Sequence, residues 1–138
     1  MKKYVVIVAV LFGLLSCKKD HELNMLKENV IGTWEMHRYS GYPFNQPPVL
    51  PGNGHIMVIG KDGSFERKLH DTLLYRGKYV LLKRKDCYKR VDDITFSTTD
   101  NPDSYSYISM EGDRLVFSTP NCYQDGGSTS FIRISQGQ

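Results

Sequence analysis

The sequence predicts an all-β domain, and three observations carry that expectation. Eight short runs of strand-forming residues follow one another, several with strict alternation of apolar and polar side chains. Turn-forming clusters of Gly, Asn, Asp and Pro separate most of them. Downstream of the first 30 residues, no segment has the 3.6-residue periodicity of a helix of ordinary length. Eight antiparallel strands of this length favour a closed barrel or a sandwich.

The chain begins with Lys2-Lys3 and a 12-residue apolar run from Tyr4 to Leu15. A spanning helix needs about 20 apolar residues, so the run reads as the core of a secretory leader. Residues 1–16 are expected to be a signal peptide and 17–29 a tether, with 30–138 the folded domain. Removing the leader leaves 122 residues, enough for one domain and too few for two. The formal charge of +3 includes Lys2 and Lys3, so the remainder carries about +1. No basic footprint for nucleic acid is expected at that charge. Forty per cent hydrophobic and 24% charged residues exclude wholesale disorder.

The tether, Lys18 to Asn29, is polar, with Leu23 and Leu26 at helical spacing, and reads as a stretch ending in a helical turn. Thr33–Ser40 is the first strand. Residues 40–53 hold four of the six prolines and form a loop rather than a strand or helix. Its length makes it a candidate lid, with Tyr42 and Phe44 as exposed aromatics. His55–Gly60 and Ser64–His70 flank the turn Lys61-Asp62-Gly63. In the second of these, Phe65, Arg67 and Leu69 share a face. Leu73–Lys83 places Leu73, Tyr75, Gly77, Tyr79 and Leu81 on one face and Arg76 and Lys78 on the other. Asp92–Thr98 alternates about Ile94 and Phe96. A turn is expected at Asp100-Asn101-Pro102-Asp103, before Ser104–Glu111, where Tyr105 and Tyr107 share a face. Arg114–Thr119 alternates about Leu115 and Phe117, and Ser128–Ser135 closes the series.

Three cysteines remain to be placed. Leu14-Leu15-Ser16-Cys17 resembles the lipobox of bacterial lipoproteins. That resemblance implies cleavage before Cys17 and its acylation, palmitate being one such acyl group. Acyl chains contribute about 0.8 kcal/mol per buried CH₂, so two or three give durable outer-membrane anchoring. The expected address is lipid-anchored at the outer membrane, on its periplasmic or surface face. An exported chain meets an oxidising compartment, where Cys87 and Cys122 are expected to pair. Their 34-residue loop gives such a bridge roughly 4 kcal/mol on chain-entropy grounds.

Gly32-Thr33-Trp34, just after the helical turn, resembles the opening motif of lipocalins and, more narrowly, of compact bacterial lipocalin-like lipoproteins. The resemblance spans about residues 30–135. It implies an eight-stranded antiparallel up-and-down barrel whose base is closed by Trp34, the chain's single tryptophan, with Arg133 packed over the indole. The family's Thr-Asp-Tyr motif has no clear counterpart; Asp86-Cys87-Tyr88 is a loose echo. Avidins share Gly-x-Trp but line their biotin site with several tryptophans, which this chain lacks.

The resemblance implies a barrel that binds a small hydrophobic or amphipathic ligand. Arg67, Tyr75, Tyr79, Tyr105 and Tyr107 are the candidate lining residues. A charge inside a barrel is costly unless paired. A one-residue bulge that turns Arg67 outward is the more economical expectation; the other is a counter-ion for an anionic head. The tyrosines suit a mixed pocket wall and suit plain packing better. Lys83-Arg84-Lys85 with Lys89-Arg90 reads as a solvated charge run, or as a surface for an acidic partner. The four histidines lack metal-ligand spacing, and paired carboxylates fall only in turns or the tether. No cofactor, metal site or enzymatic activity is expected. The alternative to a ligand carrier is a protein-interaction module, such as an exported inhibitor of a hydrolase, acting through residues 40–53 or 83–90.

Overall fold

The computed structural model describes residues 21–41, 46–86, 92–120 and 126–136. Eight antiparallel strands form one sheet that closes on itself in sequence order. They are β1 (Gly32–Gly41), β2 (His55–Ile59), β3 (Ser64–Leu69), β4 (Thr72–Lys85), β5 (Asp92–Thr98), β6 (Asn101–Glu111), β7 (Arg114–Ser118) and β8 (Gly127–Gln136). The barrel, rather than the sandwich, is the architecture. Closure removes free strand edges, because β1 pairs with both β2 and β8.

The up-and-down order sorts the connections between two ends. The β2–β3 and β6–β7 turns share the base with the start of β1. The loop after β1 and the β3–β4 and β5–β6 turns share the mouth. One boundary differs from the expected turn at Asp100–Asp103. Thr98 pairs with Asn101, so the turn is Thr99-Asp100 and β6 starts at Asn101. Pro102 is accommodated because the ladder then jumps from Asn101 to Tyr105, an irregularity that leaves its missing N–H unneeded.

The base is solid. Residues 21–29 are helical, more than the single turn expected, and Leu26 and Val30 are buried in the core cluster with Leu23 packed against it. The packed unit therefore starts upstream of residue 30. Trp34, Ile59 and Leu115 are the largest fully buried side chains there, with Leu81 and Ile108 around them. The Trp34 indole N–H donates to Val30 O at 2.8 Å. The Arg133 guanidinium lies 4.2 Å from the ring centroid of Trp34. It also donates to Ile31 O at 2.7 Å and to Asn29 O. Arg133 thus satisfies carbonyls at the helix C-terminus while covering the indole, joining helix, β1 and β8.

At the β2–β3 turn, Asp62 accepts the Ser64 N–H at 3.0 Å and lies 3.0 Å from Lys78 Nζ. Those bonds, the Ser64 side chain first, hold the Asp62 carboxyl far below the usual carboxylate range.

Candidate functional site

Above the base the barrel is hollow. Its floor follows from four strands that each place one phenylalanine inward. Phe65, Phe96, Phe117 and Phe131 meet in sequence: 5.0 Å between centroids for Phe65–Phe96, 5.2 Å for Phe96–Phe117 and 5.7 Å for Phe117–Phe131. All three contacts are edge-to-face, the arrangement favoured by the ring quadrupole. Tyr79 stacks on Phe96 at 5.3 Å from the basal side and bonds Gly60 O. Burial, then the nearby Asp62 charge, raises its phenol above the ordinary tyrosine value.

A cavity of about 670 Å³ opens over this floor. Small-molecule sites span roughly 300–1,000 Å³. Met36 and Met57 complete the apolar lower wall. Higher up, Ser97, Thr98, Asn101, Ser104, Ser106 and Thr129 give one side neutral hydrogen-bonding groups. His55, Arg67 and Lys68 occupy the opposite side. Tyr39, Gln46 and Leu74 stand at the rim.

Arg67 stays on the cavity side. Its ladder partners are Met57, which is buried, and Tyr75. A bulge does occur, but between Arg67 and Lys68, one position too late to turn Arg67 outward. The expectation of an outward Arg67 is therefore corrected. The residue is exposed overall because it stands where the lumen meets solvent.

Tyr75 faces inward but folds over Gly77, and its hydroxyl donates to Asp100 at 2.8 Å. A Cβ on Gly77 would lie 2.2 Å from that hydroxyl oxygen, so glycine makes the space. The bond to Asp100 raises the Tyr75 phenol and, after the Thr98 side chain, lowers the Asp100 carboxyl. Neither Tyr75 nor Tyr79 lines the cavity.

Tyr105 and Tyr107 are a second correction. Phe96 pairs with Ser106 and Phe117 with Ile108, so the even positions of β6 point inward. Tyr105 and Tyr107 lie on the outer face, ring centroids 6.2 Å apart. Arg84 sits 4.6 Å over Tyr105 and donates to Pro102 O at 3.0 Å, so this member of the basic run is engaged rather than solvated. Tyr107 is 9% exposed, and burial is the first cause of its raised phenol pKa.

The loop before β2 is built into the wall. Beyond Glu35, β2 no longer pairs with β1. The loop takes its place: Gln46 N–H donates to Tyr39 O, Val49 N–H to His37 O and the Asn53 amide to Met36 O. Glu35, 4% exposed, anchors it by accepting the Gly52 N–H on both oxygens at 3.0 Å and the Gly54 N–H at 3.2 Å. Gly52 and Gly54 adopt φ of 85° and 77°, which turns their N–H groups toward one carboxylate. His70 N–H then donates to Gly54 O at 2.7 Å, tying the β3–β4 hairpin to the same loop. Sequence reasoning missed Glu35; the Pro-Gly-Asn-Gly spacing at residues 51–54 was the available signal.

The proposed lid aromatics Tyr42 and Phe44, the pair Cys87 and Cys122, Cys17 and the leader lie outside the described residues. Among the described residues, no group of three or more His, Cys, Asp or Glu is placed to hold a metal ion, and no helix is long and apolar enough to cross a membrane. Any functional reading rests on the site itself, since no family model, no curated protein and no solved structure matches this chain.

Proposed function

We propose that this protein is a lipid-anchored, lipocalin-like binding protein that holds a small hydrophobic or amphipathic molecule in its lumen. The observation that carries the reading is the 670 Å³ cavity over a continuous phenylalanine floor. A barrel stabilised only by packing fills its interior with side chains. Here the inward positions of β6 near the mouth carry serines, at Ser104 and Ser106, so volume is left open where packing would gain from larger residues. Arg133 over Trp34 supports the likeness to lipocalins. Leu14-Leu15-Ser16-Cys17 supports the anchor.

Native mass spectrometry of residues 18–138, made in an oxidising compartment and not delipidated, tests the reading. A discrete extra mass, lost on collisional activation, is the expected result. A clean apo peak that stays unliganded when challenged with lipid extract would count against a carrier and turn attention to pull-downs with secreted hydrolases.

A further inference from the structure

We infer that the lumen takes a single-chain amphiphile with one negative charge, a carboxylate head at the mouth and its apolar chain on the phenylalanine floor. This rests on the carrier reading above and specifies it. Three observations converge. Among the described residues no Asp or Glu lines the cavity, and the Asp100 carboxylate in the β5–β6 turn at the mouth is already bonded by the Tyr75 hydroxyl. Arg67 lines the mouth, and its guanidinium has no ion pair or hydrogen bond among the described residues. Its charged neighbours are already committed: Glu66 takes Lys68 at 3.0 Å and Arg76 at 2.7 Å. The strongest cation left for a ligand is therefore one planar fork, suited to two carboxylate oxygens.

The count of charges sets the head group. A phosphate monoester carries about −1.5 to −2 at neutral pH, more than one guanidinium offsets. A carboxylate is matched. The neutral hydroxyl and amide groups on the opposite wall add no further cation. The axis of the cavity sets the orientation, since the four phenylalanines with Met36 and Met57 lie below, and Arg67 and the hydroxyl and amide groups lie above.

The test uses residues 18–138, which contain every packed element from the helix to β8. Binding is read by displacement of N-phenyl-1-naphthylamine, an uncharged fluorescent probe. Competitors are dodecanoate, dodecanol, dodecylamine and dodecyl phosphate. Dodecanoate should displace the probe at about one-tenth the concentration of dodecanol, the difference one charge-assisted bond makes at a part-exposed site. Dodecylamine should be weakest. Arg67→Gln should erase the preference for dodecanoate over dodecanol, and Arg67→Lys should keep part of it. Arg76→Gln, on the outer face, should keep all of it. Trp34 fluorescence confirms that each variant is folded at the base.

Equal displacement by dodecanoate and dodecanol, or a preference that survives Arg67→Gln, overturns this inference and leaves the carrier reading standing. Tighter binding of dodecyl phosphate than dodecanoate overturns the carboxylate assignment. Failure of the probe and of all four competitors to bind overturns the carrier reading itself.

Discussion

Replacing Arg133 with alanine tests the account of the base most directly. Three contacts would vanish together. The cation–π contact with Trp34, at 4.2 Å from the ring centroid, contributes about 1 kcal/mol. The bonds to Ile31 O and Asn29 O contribute about 1 kcal/mol each, below the usual range for a charged partner because the side chain is part exposed. The total is about 3 kcal/mol, treated as an upper figure because the three share one side chain. With a urea m-value of about 1.5 kcal/mol per molar, the midpoint should fall by about 2 M. Trp34 is the chain's single tryptophan, so its fluorescence reports the base alone. Arg133→Lys should recover less than half of the loss, because an ammonium cannot stack and reach two carbonyls at once. An Arg133→Ala midpoint within about 0.3 M of wild type would refute the assignment of these contacts as the clamp.

Glu35→Ala should cost about 2–4 kcal/mol, since it orphans the Gly52 and Gly54 amides, and both should lose protection in hydrogen exchange. Unchanged protection would mean that the loop is held by its contacts with β1 alone. Phe96→Ala removes the ring shared by Phe65, Tyr79 and Phe117 and should cost about 3–5 kcal/mol by thermal unfolding. A smaller loss would show that the floor collapses around the gap. Asp62 and Glu66 have folded-state pKa values lowered by hydrogen bonds and cationic neighbours, and Asp100 has one lowered by hydrogen bonds, that of the Thr98 side chain first. Their contributions are fully present above the unfolded value of about 4 and are lost as pH falls through the lower folded values, so stability should decline below about pH 4. Asp62→Asn should flatten that decline. A decline equally steep in the variant would place its source elsewhere.

All eight strands were legible because alternation and turn residues agree over most of the chain. Phe65, Tyr79, Leu81, Phe96, Leu115 and Phe117 each announce their face by period two. β6 did not, because both its faces carry large side chains: Tyr105 and Tyr107 on odd positions, Ile108 and Met110 on even or adjoining ones. The aromatic face looked like the interior, yet the inward positions beside Phe96 belong to serines. A strand that leaves room for a cavity inverts the usual cue. Arg67 was misjudged for a related reason. The cost of a buried charge was assessed for a filled barrel, whereas the residue stands at a hydrated mouth. Glu35 was missed because its burial depends on a loop that returns from 17 to 19 positions away, and the glycines at 52 and 54 mark the turn without naming the carboxylate it closes on.

The seam between β1 and β8 also dictates an order of events. Arg133 meets Ile31 across 102 positions of sequence, while every other ladder joins consecutive strands. The hairpins from β2 to β7 can form as each turn is made, at small loop-closure cost. β1 can do so only over Gly32–Glu35, where it pairs with β2; from Met36 to Gly41 its only strand partner is β8. A growing chain therefore passes through an open sheet with bare edges until β8, Gly127–Gln136, arrives. Truncation before Gly127 removes the closing strand altogether, and the product should self-associate through those edges rather than persist as a smaller barrel.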